Sequence, residues 1–345
     1  MTSRTLIPAL LFATIFVASC SIEPPLHLRQ AMEVEVKVLW KAEVYPEGIK
    51  PDGVTLYFFR NGEFYMQHTT AEVDSCVVQL APGNYKLFMI SQSPEEYWKM
   101  EFENMTDFDN ASVSVAETKS SWYTRANEEV LINNPEMMTV GVSDEFEVTE
   151  DMIYQQNRSL TKAGENVHYY IIRVPVVPQS VVSEYWVTIY SDNADVLKSV
   201  RASTSGMARS FELTQGKTGD DEGTQFITQW TLTIDDKENR IGHLDGQVTT
   251  FGFPRGELPS PSRDSTLNVS ALLVDNETVE DYVFYVADKI KLEDPPEGYR
   301  YLYRLTFGSV REPAIHPKDV EPAVESGFDA VVDDWEEGTT VEIPM

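Results

Sequence analysis

The groups with which this chain of 345 residues could do chemistry are five histidines, two cysteines and 56 acidic side chains. His27, His68, His168, His243 and His316 are scattered. The closest two lie 41 residues apart, so there is no HExxH-like pair and no short metal-ligand spacing. There is also no G-x-S-x-G elbow, phosphate loop or dinucleotide glycine fingerprint. Cys76 sits in Asp74-Ser75-Cys76-Val77-Val78, and an apolar strand raises a thiol's pKa, so it reads as a small buried hydrophobe rather than a nucleophile. Paired carboxylates could serve a glycosidase, yet among 56 acids such pairs arise by chance. No catalytic residue, metal site or cofactor is expected, and the chain reads as non-enzymatic.

Binding chemistry has more material. Residues 127–151 hold eight acids without a Lys or Arg, and residues 314–345 hold nine acids with Lys318. Dense carboxylates suit Ca²⁺, and Asp107-Phe108-Asp109-Asn110 and Asp220-Asp221-Glu222-Gly223 offer loops, though none completes a twelve-residue EF-hand pattern. Solvated turns and charged strand faces are the competing explanation. Tyr97-Trp98 and Trp122-Tyr123 fall in less regular stretches, where rings could stack on sugars. This makes Trp98, Trp122 and Tyr123 candidate glycan-stacking residues, whereas Trp40, Trp186 and Trp230 occur within strand patterns and are expected in the core. With 56 acids against 27 Lys and Arg, the formal charge is −29. Such a surface argues against nucleic acid and against polybasic attraction to anionic lipid.

The N-terminus indicates a compartment. After Arg4, residues 6–19 run without charge, too short a stretch to span a bilayer but the right length for the apolar part of a secretory signal. That stretch ends Val17-Ala18-Ser19-Cys20, which resembles the lipobox of bacterial lipoproteins. The resemblance implies cleavage between Ser19 and Cys20 and acylation of Cys20, whose chains would hold the protein to the outer membrane. An ordinary cleaved signal with a chance cysteine is the alternative. Without a second cysteine beside Cys76, the mature chain could form no internal disulfide.

The elements that must position these residues read as strands. In 32–38, MEVEVKV, apolar residues occupy even positions and charges odd ones, the mark of a strand with one buried face. Further strands are expected at 53–60, 63–69, 75–80, 84–91, 111–117, 167–176, 185–191, 225–234, 247–253, 266–274, 281–287 and 300–307. Asn61-Gly62 is a hairpin turn, and Pro82-Gly83 turns the chain between 75–80 and 84–91; Asp235 to Asn239 and Asp275-Asn276-Glu277 are turns as well. A short helix is expected over 94–104. The fold class is all-β, two β-sandwich domains in tandem. Expected boundaries are a signal peptide 1–19, a lipidated tether 20–30, a first domain 31–155, a linker 156–165 and a second domain 166–345.

A family resemblance joins these features. The lipobox, the alternating first strand and Leu80-Ala81-Pro82-Gly83-Asn84-Tyr85-Lys86-Leu87 together resemble the fimbrillin-like lipoproteins of Bacteroidales. Ser205-Gly206-Met207-Ala208, Thr250-Phe251-Gly252-Phe253, Asp333-Asp334-Trp335 and a last short strand, 340–343, are similar to second-domain landmarks of the branch related to minor-fimbria anchor and accessory proteins. The resemblance implies transthyretin-like sandwiches, an outer-membrane lipid anchor and fimbrial subunits or surface ligands as partners. It also implies that stalk subunits lose their first strand by cleavage after a basic residue, vacating a groove for a neighbour's strand. Here no Arg lies between 30 and 59, and Lys50 is followed by Pro51. An anchor or accessory subunit that keeps its first strand is therefore expected, with 340–343 as a contact element. A surface glycan-binding lipoprotein of a polysaccharide-uptake system is the alternative. Asp264-Ser265-Thr266 also resembles a short O-glycosylation sequon of exported Bacteroidetes proteins.

Overall fold

The computed structural model describes residues 29–41, 44, 50–120, 129–161, 170–255 and 261–323. Cys20, Trp122, Tyr123 and the strand expected at 340–343 lie outside the described residues, as do His27, His168 and most of the acidic C-terminal segment. The alternating segment forms β1 (Met32–Val38), with Met32, Val34, Val36 and Val38 all buried. Next, β2 (Val54–Arg60) and β3 (Glu63–Thr70) turn about Asn61-Gly62, whose φ values of 53° and 86° are those a type I′ hairpin demands. The chain then turns between β4 (Ser75–Leu80) and β5 (Gly83–Ser91), which lie in different sheets, so the connection arches from one layer to the other. Tyr85 pins that turn: its ring is fully buried and its hydroxyl donates to the Ala81 carbonyl at 2.7 Å. Burial pushes this hydroxyl's pKa up to about 12.

The first half continues with β6 (Met100–Glu103), β7 (Ser112–Val115), β8 (Thr139–Val142), β9 (Phe146–Val148) and helix α1 (Glu150–Thr161). After it come β10 (Ile172–Val176) and β11 (Gln179–Ser180). The second half opens with β12 (Ser183–Ser191), β13 (Leu197–Ala208), β14 (Ser210–Glu212), β15 (Lys217–Thr218) and β16 (Glu222–Ile227). It closes with β17 (Trp230–Asp236), β18 (Ile241–Thr250), β19 (Thr266–Leu273), β20 (Val279–Tyr285), β21 (Ile290–Glu293) and β22 (Leu302–Phe307).

These strands make five sheets. The order β10-β1-β4 faces β11-β8-β5-β2-β3, with β9 alongside β5, across one core of Val34, Val36, Leu56, Phe58, Leu87 and their neighbours. The second sandwich packs β17-β18-β12-β22-β21 on β16-β13-β19-β20. Between the two halves lies a shared sheet, β15-β14-β7-β6, in which Ser210–Glu212 pairs antiparallel with Ser112–Ser114. The central strands β2 and β5 of sheet β11-β8-β5-β2-β3 are buried on both faces over most of their length, whereas the edge strand β3 is largely exposed. Phe58 points into the first core, whereas Tyr57, Phe59 and Phe88 join a second core that also contains Tyr185 and Phe253. The chain is thus all-β, in tandem sandwiches, with one apolar core running across their junction.

Several expectations need correction. The linker expected at 156–165 begins inside α1, and β10 and β11, expected in the second domain, belong to the sheets of the first. β10 runs parallel to β1 from Val34↔Ile172 to Val38↔Val176, and β11 pairs with β8. The helix reads as polar because two of its buried side chains, Gln156 and Asn157, are amides beside the apolar Ile153. Gln156 is 1% exposed; it accepts from the Glu33 N–H at 2.8 Å and donates to the carbonyls of Glu33 at 3.1 Å and Tyr170 at 2.8 Å. The helix expected over 94–104 is a single 3₁₀ turn, Pro94–Glu96, followed by β6. Tyr97 ends the turn by burying its ring and donating from its hydroxyl to the Ser91 carbonyl at 2.6 Å. The strand expected at 225–234 breaks at Thr228-Gln229 into β16 and β17. β13 shows no clear apolar alternation because most of its buried residues, Ala202, Ser203, Thr204, Gly206 and Ala208, are small or polar, with only Leu197 and Met207 large.

Candidate functional site

The first strand is the element on which the fimbrial expectation turns. β1 occupies the centre of its sheet, parallel to β10 on one side and antiparallel to β4 on the other. Beyond its apolar face, α1 holds its backbone: Gln156 bridges Glu33, and the Asn157 amide bonds the Arg29 N–H at 3.2 Å and its carbonyl at 3.0 Å. The basic residues around it differ in access. Lys50 is exposed and pairs with Asp74 at 2.5 Å, with Pro51 behind it. Arg60 ends β2 within the Asn61-Gly62 hairpin, packs its guanidinium over Tyr65 at 5.7 Å, and bonds the Pro82 carbonyl. A protease needs an extended segment in its cleft, and residues 58–62 are held in a paired strand and a tight turn.

Edges are the second feature. β3 and β20 close their sheets, and among the described residues no strand pairs with their outer sides. β20 turns Val279, Val283 and Tyr285 outward, at 56%, 49% and 69% exposure. Its other face carries Tyr282 and Phe284 against the core.

The residues singled out for chemistry fall apart in space. Trp98 is 89% exposed, a lone projecting ring, and its proposed companions Trp122 and Tyr123 are outside the described residues. Trp40 is partly buried, with its indole N–H donating to the Val73 carbonyl at 3.0 Å. Trp186, expected in the core, is instead half-buried and lines a cavity, whereas Trp230 is partly buried against the core as expected. Cys76 is buried on β4, and burial pushes its thiol up to about 11, as its apolar setting predicts. Asp107 spends its carboxylate on its own turn, accepting from the Asp109 N–H at 3.1 Å and the Asn110 amide at 2.8 Å. Among the described residues, no three His, Cys, Asp or Glu side chains converge as a metal site would require. Ser265, in the resembled sequon, is 1% exposed and its hydroxyl lies 3.1 Å from that of Ser262, so the native fold does not present it to a transferase. No helix among the described residues is long and apolar enough to cross a membrane.

The family landmarks have structural reasons. Gly206 takes φ 75° at a bulge in β13, where a side chain would strike Ser265. Gly252, at φ 106°, lets Phe251 and Phe253 both enter the core.

Comparison with known proteins places these elements. Residues 23–228 match the family model described as a domain of unknown function, DUF5119. That range runs from before β1 through the shared sheet to the end of β16. No curated protein matches the chain. Among solved structures, a candidate adhesin from Bacteroides ovatus superposes with a TM-score of 0.55 at 14% identity, covering 88% of this chain and 99% of that one. The fimbrial anchor protein Mfa2 from Porphyromonas gingivalis gives 0.46 at 11% identity, covering 80% and 90%. A second candidate adhesin, from Bacteroides thetaiotaomicron, gives 0.45 at 12%, covering 72% and 80%. The chain shares its two-sandwich fold with the Bacteroides ovatus protein over nearly its whole described length, and by the family model spanning well over half its residues it belongs to the DUF5119 family.

Proposed function

We propose that this chain is a non-enzymatic surface lipoprotein that serves a fimbria as an anchor or accessory subunit. Residues 1–19 are removed, acyl chains on Cys20 hold it to the outer membrane, and strand edges bind neighbouring subunits. The supporting observation is the closure of β1. The strand is clamped by α1 and flanked on both sides, and the one arginine downstream of it before β3 sits in a paired hairpin. A stalk subunit must open this groove, whereas an anchor must keep it shut. The fold shared with an adhesin and the resemblance to fimbrillin-like lipoproteins point the same way. Outward-facing β20 and the terminal segment 340–343 are the contact elements of this reading. A chain end can pair with an edge without disturbing the topology.

The test is the mature N-terminus of protein taken from outer membranes. A blocked, diacylglyceryl Cys20 and loss of palmitate labelling in Cys20→Ser are expected. A start between residues 46 and 60 would overturn the reading.

A further inference from the structure

The outer face of sheet β17-β18-β12-β22-β21 carries a cavity of about 560 Å³ that the assembly role does not use. Volumes of this order hold small ligands, which such sites grip with an aromatic wall and a few placed polar groups. Trp186 is central. In the ladder it stands opposite Gln247 on β18 and Arg304 on β22, so the three side chains are cross-strand neighbours on one face. The Arg304 guanidinium lies 4.6 Å from the Trp186 ring centre and is held there by Glu293 at 2.7 Å. Trp230, paired with Gly246, falls on the opposite face of the ladder and packs against the core, with its indole N–H committed to the Ile227 carbonyl at 3.0 Å, so Trp186 is the aromatic wall.

Three facts narrow the ligand. First, the charges are already matched within the protein. Arg304 has Glu293, and Asp245 accepts from the Thr188 hydroxyl at 2.6 Å and faces His243 Nε2 at 3.1 Å. With a formal charge of −29 on the chain, an anionic ligand gains nothing here. Second, the exposed groups of the lining include neutral planar donors and acceptors, the Gln229 and Gln247 amides. Third, the Trp186 indole N–H is buried and has no hydrogen-bond partner among the described residues. Buried donors are rarely left so, and this one finds no acceptor within the described fold. A sugar ring meets all three conditions. Its C–H face stacks on an indole, and its rim of hydroxyls both donates and accepts without charge.

We infer that the Trp186–Gln247–Arg304 face is a binding site for a neutral oligosaccharide. This goes beyond the fimbrial reading, since strands alone would hold a subunit in its assembly. The mature N-terminus therefore tests one idea and glycan binding the other. The probe is an immobilised array of neutral mammalian and plant oligosaccharides, with their sialylated and sulfated counterparts, applied to the chain from residue 21 onward. At least one neutral glycan should be retained, and its acidic counterparts should bind no better. Trp186→Ala should weaken retention at least tenfold. Gln247→Leu, at an exposed position that the fold does not need, should weaken it comparably, while Trp98→Ala should leave it unchanged. A silent array, or retention unchanged in both Trp186→Ala and Gln247→Leu, overturns the inference. So does a loss confined to Trp98→Ala.

Discussion

At the scale of single residues, Gln156 does for β1 what a neighbouring strand would otherwise do, since one amide satisfies both the N–H and the carbonyl of Glu33. Removing it leaves two backbone groups of a buried strand without partners. Gln156→Ala should therefore cost about 1–3 kcal/mol, read from urea denaturation midpoints. Gln156→Glu should be at least as harmful, because a carboxylate cannot donate to the Glu33 and Tyr170 carbonyls. A change below a few tenths of a kcal/mol in both would show that the clamp is not what holds β1. The sequence showed Gln156 only as one more polar residue. Hydrophobic periodicity cannot flag a buried amide, because the signal that marks a core position is apolarity itself. The same limit hid Ser203 and Thr204 in β13. Tyr85 is the opposite case: its place in Pro82-Gly83-Asn84-Tyr85 carried the turn, and the hydroxyl bond to Ala81 explains why a tyrosine stands there.

At the scale of elements, the first sandwich depends on chain that follows α1. β10 covers the edge of β1, and β11 extends the sheet through β8. A fragment ending at residue 165 would expose the edge of an apolar strand, which invites aggregation. A fragment ending at 182 restores both strands. The longer fragment should stay more soluble and show the higher melting temperature by circular dichroism. Equal behaviour of the two would mean that β10 contributes little. Both halves also share the sheet β15-β14-β7-β6, so even the longer fragment leaves Val113 and Val115 partly uncovered. The cavity at Trp186 belongs to this scale too. Three strands distant in sequence set Gln247, Trp186 and Arg304 side by side, and residue spacing along the chain carries no trace of that register.

For the whole molecule, charge governs how stability responds to solvent. A formal −29 opposes compaction, and exposed ion pairs such as Arg240 with Asp195 and Asp319 offset little of it. Raising NaCl from about 20 mM to 0.5 M should increase the melting temperature by about 2–4 °C, corresponding to ~1 kcal/mol of screened repulsion. A fall would mean that attractive pairs dominate. Acid works in two stages. Hydrogen bonds from Asn239 and Thr278 hold Asp236 and Asp275 below their ordinary value of 3.8, and the Arg240 guanidinium does the same for Asp319. Because these folded-state values lie below the unfolded ones, their contribution is complete above about pH 4 and is lost as pH falls through the lowered values. Mild acidification from pH 7 towards 5 should therefore raise the melting temperature by relieving repulsion, with a steep decline below about pH 4. A steady decline from pH 7 would count against that account.

Taken alone, the residue order determined the all-β class, the hairpin at Asn61-Gly62, the turn at Pro82-Gly83, the buried face of β1 and the inert setting of Cys76. Each of these follows from alternation, turn chemistry or immediate neighbours, which act over a few residues. Only the tertiary structure decided where the halves meet, that a polar stretch is the helix clamping β1, and that Trp186 leaves the core to wall a cavity. Those outcomes depend on strand register and on which faces pack, contacts between residues a hundred or more positions apart that local pattern does not encode.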